Sequence, residues 1–325
     1  MTDWAALPKV ELHLHLEGAA PPEFIRRLAA EKGVDLSGLF DERGGYAWTD
    51  FADFLRVYEA ACSVLVTPDD FRRLVAAVLA RSAAQGVIYA ELFLAPDLCG
   101  PDLGAWPDYL AAMDAGAAAV PEVECRFIPT AIRHFGADRA EAAARAVAAA
   151  PHPRVTGWGM GGEERFGAPA DYARAYAVAA EAGLGLTVHA GEVAGPESVR
   201  AALDALPVLR IGHGVRAAED PALVARLAAE GVTLEVCPGS NLALGLYPGW
   251  RAHPLDALRR AGVAVTVSTD DPPYFHTDLP GEYAALAEAF GWGPRDFAEV
   301  NRAALAAAFC DGETRARLLE RLEPA

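Results

Sequence analysis

The chain has little positive charge and almost no lysine. Its 325 residues include 28 basic against 45 acidic side chains, for a formal net charge of −17, and Lys9 and Lys32 are the only lysines. A surface with such an acidic excess repels phosphate backbones and anionic membranes. We therefore expect neither nucleic acid nor a membrane surface among the partners of this protein.

Cysteine is also scarce. The five cysteines are odd in number, scattered along the chain and never in Cys-x-x-Cys spacing: Cys62, Cys99, Cys125, Cys237 and Cys310. This pattern argues against a disulfide framework and against a thiolate zinc site. We expect the five side chains to be small residues of the core.

Long apolar stretches are absent as well. Although 53% of the residues are hydrophobic, the sequence has no run of about 18 uncharged apolar residues, the length that a membrane-spanning helix needs. The start, Met1-Thr-Asp-Trp4, lacks the basic region and the apolar segment of a signal peptide. These features predict a cytoplasmic protein.

The sequence does contain a repeated pattern of short apolar runs, rich in Val, Ile, Leu and Thr, which alternate with alanine-rich stretches of helical periodicity. Such alternation is typical of βα units. The apolar runs predict eight strands, at residues 10–16, 86–95, 123–130, 155–160, 185–189, 209–213, 232–237 and 263–269. The stretches between them predict helices that include residues 68–85, 168–182, 196–206, 220–230 and 254–261.

Eight βα units without a polar linker predict an α/β protein, a closed TIM (β/α)₈ barrel rather than an open doubly wound sheet. We expect residues 1–325 to form this one domain. Residues 36–66 exceed the minimal plan and contain an amphipathic stretch at residues 51–58. We predict that this insertion after strand 1 is a helical lid over the mouth of the barrel, and that the tail from Tyr283 onward is helical and packs outside.

Imidazoles and carboxylates lie at the carboxyl ends of four predicted strands, where barrel enzymes place their catalytic groups. These strand ends read His13-Leu-His15-Leu-Glu17, His189-Ala-Gly-Glu192, His213-Gly214 and Ser268-Thr-Asp270-Asp271. His13 and His15 are two residues apart on one strand, so both side chains face the barrel interior. Together with His189 and Asp270 they form a ligand set suited to one Zn²⁺, with a position left for water.

A single ion is the favoured number, because the predicted fourth strand carries no lysine that could bridge two metals. A bound zinc lowers the pKa of its water to roughly 7, which supplies a nucleophile at neutral pH. Glu192 is the candidate proton donor to a substrate nitrogen, or else a residue that orients His189. His213 would take the proton from the water or stabilise the resulting hydroxide. Asp271 points away from the metal face unless the strand bends, and is free for substrate.

The motifs together resemble the adenosine and adenine deaminases of the amidohydrolase superfamily. The matching stretches are Pro8-Lys-Val-Glu-Leu-His-Leu-His-Leu-Glu-Gly18, Val188-His-Ala-Gly-Glu192, Arg210-Ile-Gly-His-Gly214, Leu234-Glu-Val-Cys-Pro-Gly-Ser-Asn241 and Ser268-Thr-Asp-Asp-Pro272. The resemblance implies zinc bound by His13, His15, His189 and Asp270. It also implies that Glu192 protonates purine N1, His213 activates the zinc water, Asp271 contacts N7 and the backbone of Gly162 donates to N3.

The substrate within this family is decided by a few positions. Glu17 stands where vertebrate-type adenosine deaminases have an aspartate that meets the ribose, and Gly159 also replaces an aspartate. The turn at residues 157–163 and the pattern at residues 271–283 resemble nucleoside deaminases. We therefore predict conversion of adenosine to inosine and ammonia, with adenine, 6-aminodeoxyfutalosine or an N6-substituted adenine as alternatives. His15, Glu17, Phe54 and Tyr58 are further predicted substrate contacts.

Two readings outside this reaction class stay open. A zinc amidase or lactonase on the same barrel would hydrolyse an acyl bond without needing Asp271. A binding protein that has kept the pocket would tolerate Glu192→Gln. The remaining histidines are predicted to be surface or supporting residues: His134, His152, His253 and His276. The small-molecule purine is the expected partner, and the sequence leaves homo-oligomer formation open.

Overall fold

Eight parallel strands form the central sheet in a computed structural model that describes residues 2–322. Their order in the sheet is their order in the chain: β1 Lys9–His15, β2 Val87–Leu94, β3 Glu124–Ile132, β4 Gly157–Gly161, β5 Gly185–Ala190, β6 Arg210–His213, β7 Thr233–Val236 and β8 Ala264–Val267. Backbone bonds join the last strand to the first, since Asp270 N–H donates to His13 O (3.1 Å) and His15 N–H donates to Asp270 O (3.0 Å). The predicted TIM barrel is thereby confirmed.

The predicted strand ends lie within two residues of the observed ones, and β8 shows why they differ. This strand was predicted to run to Thr269 but ends at Val267. Asp270 has a left-handed backbone with φ of 67°, a conformation that no regular strand can contain. The chain therefore leaves the strand before it reaches Asp270.

Helices follow the strands around the outside of the barrel. Many begin with proline, which fixes the backbone for a first helical turn and has no N–H to leave unpaired. The helices are α1 Pro22–Lys32, α2 Phe51–Cys62, α3 Pro68–Ala84, α4 Trp106–Ala118, α5 Ala137–Ala149, α6 Ala173–Glu181, α7 Pro196–Ala205, α8 Pro221–Glu230, α9 Pro238–Ala243, α10 Leu255–Arg260, α11 Leu279–Phe290, α12 Pro294–Ala307 and α13 Gly312–Leu322.

The inserted helix α2 lies at the mouth of the barrel, as predicted. Asp50 caps it by accepting the backbone N–H of Asp53 (2.9 Å), an arrangement that satisfies one of the unpaired donors of the first turn. Phe54 and Val57 are buried on its inner face. The helix therefore has an apolar side that covers the carboxyl ends of the strands.

The C-terminal helices pack against the outside of β1 and β2. Val10 and Tyr89 from these strands form one apolar cluster with Leu305 of α12 and Leu318 of α13. Within residues 2–322 the apolar length that a helix needs to cross a bilayer is not reached anywhere. The five cysteines are all buried and unpaired, as expected from their spacing.

Candidate active site

Three imidazoles and one carboxylate meet at the carboxyl ends of β1, β5 and β8. His13, His15, His189 and Asp270 each offer one ligand atom, and these atoms lie within 4.8 Å of one another. His15 Nε2 is 3.2 Å from His189 Nε2, while Asp270 Oδ1 is 3.5 Å from His13 Nε2 and 3.3 Å from His15 Nε2. The structure thus brings together the four residues that the sequence proposed as metal ligands.

Partners on the far side of the rings orient two of these imidazoles. His13 Nδ1 lies 2.7 Å from Glu235 Oε2, and His189 Nδ1 lies 2.9 Å from the carbonyl oxygen of Met160. A carbonyl can only accept, so His189 carries its proton on Nδ1 and turns the lone pair of Nε2 into the site. His13 Nε2 is buried without a hydrogen-bond partner. Such nitrogens, held from behind and unpaired in front, fit a metal ion.

Asp270 and His213 both have a backbone conformation that is rare for residues with a side chain. Their φ angles are 67° and 58°, in the left-handed region. The turn at Asp270 re-aims its side chain into the barrel immediately after β8, and Ser240 Oγ then donates to Asp270 Oδ2 at 2.7 Å. Strain of this kind persists where the surrounding structure enforces it and clusters at functional sites.

Glu192 is buried beside this cluster. Its Oε1 lies 3.7 Å from His213 Nε2. Burial, reinforced by the charge of Asp270, holds the pKa of the Glu192 carboxyl well above its usual range. A carboxyl that keeps its proton at neutral pH can act as a general acid.

The backbone that carries Glu192 is clamped by a second glutamate. Glu164, buried in the loop after β4, accepts the backbone N–H groups of Glu192 (3.2 Å), Val193 (2.8 Å) and Ala194 (2.8 Å). It also accepts the N–H of Gly191 and the hydroxyl of Ser198. One carboxylate therefore fixes the whole turn between β5 and α7.

Asp271 lies on the other side of the site. Its Oδ1 is buried without a hydrogen-bond partner, and burial together with Asp270 raises the pKa of its carboxyl. Gly18 makes room for it, since a Cβ on Gly18 would lie 1.5 Å from Asp271 Oδ1. A buried, unpaired polar atom that faces a cavity is a natural contact for a polar ligand group.

A cavity of about 420 Å³ opens in front of the cluster. Its inner wall carries the predicted polar residues and its outer wall is apolar, as is usual for small-molecule sites. The predicted site residues that line it are His15, Glu17, Phe54, Tyr58, Gly162, His189, Glu192, His213, Asp270 and Asp271. His13 lies deeper, behind the other ligands. All the residues that the sequence singled out are therefore close together in space.

Glu17 and Gly162 contribute to this cavity in different ways. Glu17 is buried and its Oε1 accepts the backbone N–H of Ala95 at 3.1 Å; burial raises the pKa of its carboxyl to about 7. Gly162 has φ of 97°, and a Cβ there would lie 2.9 Å from the ring of His134. Only glycine lets the backbone run along the cavity wall at this point.

Sequence reasoning missed several residues that hold the site. Glu235 could have been found, because a charged residue inside the apolar run of β7 indicates a buried partner. Glu164 gave no such signal, since a glutamate in a glycine-rich loop reads as solvated. His253, expected to be a surface or supporting residue, is buried and contacts Asn241 (3.1 Å). Phe93 is likewise buried, with its ring 4.6 Å from that of His13.

Comparisons with known proteins agree with the geometry. The model of the adenosine deaminase family matches residues 8–325. The chain is 50% identical over 320 residues to the adenine deaminase of Agrobacterium fabrum, covering 97% of this chain and 98% of that protein.

Two solved structures extend the comparison. The adenine deaminase from Arthrobacter aurescens superposes with a TM-score of 0.89 at 33% identity, covering 98% of each chain. An amidohydrolase from Burkholderia ambifaria with bound zinc gives a TM-score of 0.87 at 28% identity, covering 99% of this chain and 92% of that one.

Proposed function

Because this chain belongs to the adenosine deaminase family, we propose that it hydrolyses the 6-amino group of adenine to give the 6-oxo purine and ammonia. The observation that carries the proposal is the meeting of a metal-type cluster, His13, His15, His189 and Asp270, with two buried carboxyls, Glu192 and Asp271, whose pKa values burial raises well above the usual range. Hydrolytic removal of the amino group from C6 of a purine needs a nucleophile that attacks this carbon and acidic groups that donate to the ring nitrogens.

The donor set fits Zn²⁺ as the bound metal. Imidazole nitrogens and one carboxylate suit this ion, and the unpaired His13 Nε2 has the free lone pair that a ligand needs. His13, His15, His189 and Asp270 would hold it. When bound, zinc makes hydroxide available near neutral pH by lowering the pKa of water to roughly 7.

The residues of the chain itself would manage the purine. Glu192 would give its proton to ring nitrogen N1, which draws electrons away from C6 and prepares that carbon for attack. Asp271 would bind at N7, and the backbone of Gly162 at N3, so that the ring lies flat in the cavity. Burial of Glu192 and Asp271 raises the pKa of each carboxyl, and this supports their action as proton-bearing groups.

The free base is favoured over adenosine, the substrate that the sequence motifs first suggested. Two relatives that are 50% identical in sequence to this chain are named adenine deaminase. The wall contributed by α2 supports the same choice, since it presents Phe51, Phe54 and Leu55 to the cavity, with Tyr58 and Glu59 as its polar members. Ribose hydroxyl groups placed against the three apolar side chains would have no hydrogen-bond partners there, which costs binding energy.

A direct comparison of substrates tests this proposal. Purified protein loaded with zinc is incubated with adenine, adenosine and N6-methyladenine, and the loss of each is followed by ultraviolet absorbance. We expect kcat/KM for adenine to exceed that for adenosine by at least about 100-fold, the discrimination expected when about 2.7 kcal/mol of hydroxyl pairing is lost. Equal or reversed values would refute the free base, and inactivity on all three would refute 6-aminopurine deamination.

The acyl-hydrolase reading is tested with Asp271→Ala. An amidase or lactonase on this barrel has no use for a carboxyl at N7, so its turnover would survive the change. We expect Asp271→Ala to lose adenine turnover. We also expect the unaltered protein not to hydrolyse acyl substrates. Glu192→Gln removes the proposed proton donor and keeps the size of the side chain. Full activity in this variant would mean that Glu192 does not donate a proton in the reaction.

We also propose that residues 1–325 act as one catalytic domain in the cytoplasm, with a small purine as the partner and no nucleic acid. The support is the excess of acidic over basic residues and the five cysteines that are free and buried, as is usual in a reducing compartment.

A further inference from the structure

A chain of three hydrogen bonds runs from the outside of the barrel to His213. The backbone N–H of Leu255 donates to His253 Nδ1 at 3.2 Å. His253 Nε2 lies 3.1 Å from Asn241 Oδ1, and Asn241 Nδ2 lies 3.2 Å from His213 Nδ1. All three side chains are buried, with His253 only 3% exposed, so water does not compete for these bonds.

The bond from Leu255 fixes which atoms donate and which accept along this series of hydrogen bonds. A backbone N–H can only donate, so His253 Nδ1 must accept and the ring proton of His253 must be on Nε2. That proton is given to the oxygen of Asn241, which turns the amide nitrogen toward His213. The amide nitrogen can only donate, so His213 Nδ1 must in turn accept.

A neutral imidazole that accepts at Nδ1 carries its proton on Nε2. The surroundings of this nitrogen agree, because the nearest carboxylate oxygens are Asp270 Oδ2 and Glu192 Oε1, each 3.7 Å away. The Asp270 carboxylate can only accept, and a protonated Glu192 carboxyl still has a carbonyl oxygen that accepts. The reverse tautomer would need the Asn241 amide to flip, which would leave two N–H groups facing each other at His253.

We propose that Asn241 and His253 are positioning residues that hold His213 with its proton on Nε2, so that His213 donates a hydrogen bond into the active site and does not take a proton there. This inference rests on the proposed function and deepens it, because it decides between the two roles that the sequence left open for His213. The incoming oxygen would be held by the N–H group of His213. Its proton would pass to Glu192, which is a carboxylate once it has protonated N1 and whose Oε1 lies 3.7 Å from His213 Nε2, and from there to the leaving amine.

The tautomer can be read directly from the nitrogen chemical shifts of the ring. Protein labelled with ¹⁵N-histidine is studied by NMR with zinc bound and again after chelation. We expect His213 Nδ1 to have the shift of an unprotonated nitrogen and Nε2 that of an N–H nitrogen in both states. A protonated Nδ1 would overturn the inference.

Asn241→Asp tests the relay, because an aspartate has acceptors where the amide had a donor. The proton of His213 is then expected to move to Nδ1 and the two shifts to exchange. We expect kcat on adenine to fall by roughly 10–100-fold, as for other residues that orient a metal-site group, while KM changes little. An unchanged tautomer in this variant would contradict the relay even if activity fell.

The chain offers a matched control for the outer histidine. His152 also accepts a backbone N–H two residues later, from Arg154 at 3.2 Å, but its other nitrogen faces Asp114 at 3.8 Å. His253→Phe is expected to mix the two tautomers of His213, whereas His152→Phe leaves them unchanged. His253→Gln, which can restore the donor to Asn241, is expected to restore the original tautomer.

The two proposals fail in different ways. Protein that does not turn over adenine refutes the proposed function, whatever the ring shifts show. Adenine turnover together with a protonated Nδ1 on His213 refutes this inference and leaves the proposed function standing.

Discussion

A single carboxylate, Glu164, accepts hydrogen bonds from the backbone of residues 191–194 and from the hydroxyl of Ser198. Charge-assisted hydrogen bonds of this kind are stronger than neutral ones. Because Glu192 belongs to that turn, the direction of its side chain depends on a residue that lines no part of the cavity. Precise placement of a proton donor matters, since a misplacement of about 1 Å can cost about 100-fold in rate.

Replacing Glu164 by Gln should therefore lower kcat on adenine by roughly 10–100-fold. The amide keeps the size of the side chain but turns a donor toward backbone donors, so the turn at Glu192 loosens. In a Glu192→Gln background the same change should cost little more, because the two residues act as one unit. Steady-state rates of the four proteins give the coupling.

Asp220→Asn is the control for this prediction. Asp220 also accepts two backbone N–H groups, from Ala222 (3.0 Å) and Leu223 (3.3 Å), but at the start of α8. We expect this variant to lose stability without losing kcat. If the losses of kcat in Glu164→Gln and Glu192→Gln were purely additive, Glu164 would stabilise the fold without positioning the side chain of Glu192.

At the scale of single residues, the sequence predicted ten of the residues that line the cavity, but it missed others such as Glu59, His134 and Phe275. It also predicted few of the residues behind the cavity. His13 and His15 could be placed by alternation along a strand, and Glu192 by its spacing from His189. Asn241, His253 and Glu164 act through bonds to residues far away in the chain, for which no local pattern exists. The left-handed backbone at Asp270 also has no signature in the sequence, which is why the strand was predicted to be too long.

At the scale of elements, α2 is expected to control substrate affinity. Phe54 and Tyr58 face the cavity, so Phe54→Ala and Tyr58→Ala should raise KM for adenine, about tenfold for each 1.4 kcal/mol of apolar contact that is lost. Arg56→Ala is the control on the same helix, since its side chain is 61% exposed and pairs with Asp53. An unchanged KM in Phe54→Ala would show that α2 does not close on the substrate.

The junction of α11 with α9 predicts a pH effect on stability. Glu282 is buried, accepting the N–H of Gly239 (3.0 Å) and the hydroxyl of Thr277 (2.6 Å), and burial raises the pKa of its carboxyl from 4.5 to about 8. Between these values the unfolded chain has lost the proton and the folded protein keeps it. Glu282 therefore does not lower the free energy of unfolding below pH 4.5. Between pH 4.5 and pH 8 it lowers this free energy by about 1.4 kcal/mol for each pH unit.

Glu282→Gln removes that dependence. Relative to the unaltered protein, its free energy of unfolding should rise between pH 5 and pH 8, measured by denaturant titration at both pH values. Glu288→Gln changes an exposed carboxyl on the same helix and should show no such trend. A constant difference between Glu282→Gln and the unaltered protein would mean that Glu282 does not hold its proton in the fold.

The order of elements was well predicted because each βα unit has its own pattern of apolar residues. The predicted helix at residues 168–182 nevertheless begins as a tight turn, and α6 starts only at Ala173. Asp171 accepts the backbone N–H of Ala168 at 2.8 Å and caps that turn separately. Such local competition between side chain and helix cannot be read from periodicity.

At the scale of the whole molecule, metal binding is expected to stabilise the fold. The four proposed ligands come from β1, β5 and the segment after β8, so an ion bound to the native state links distant parts of the chain. Free zinc at 100 times its Kd should raise the free energy of unfolding by about 2.7 kcal/mol. Calorimetry before and after chelation measures the change.

His189→Ala should abolish this dependence on zinc, whereas His152→Ala should preserve it. The comparison separates loss of a ligand from a general effect of removing an imidazole. Equal zinc-dependent stabilisation in His189→Ala and the unaltered protein would exclude His189 as a ligand.

The bonds that join β8 to β1 run through the backbone of His13, His15 and Asp270. The ring of strands is therefore fastened by the very residues that are proposed to hold the ion. A substitution that shifts the backbone at these positions would weaken the closure of the barrel, while substitutions on the inner face of α2 leave these backbone bonds in place. Among proteins with this barrel, we thus expect new substrate preferences to arise from substitutions in the inserted helix α2, while the backbone bonds between β8 and β1 are kept.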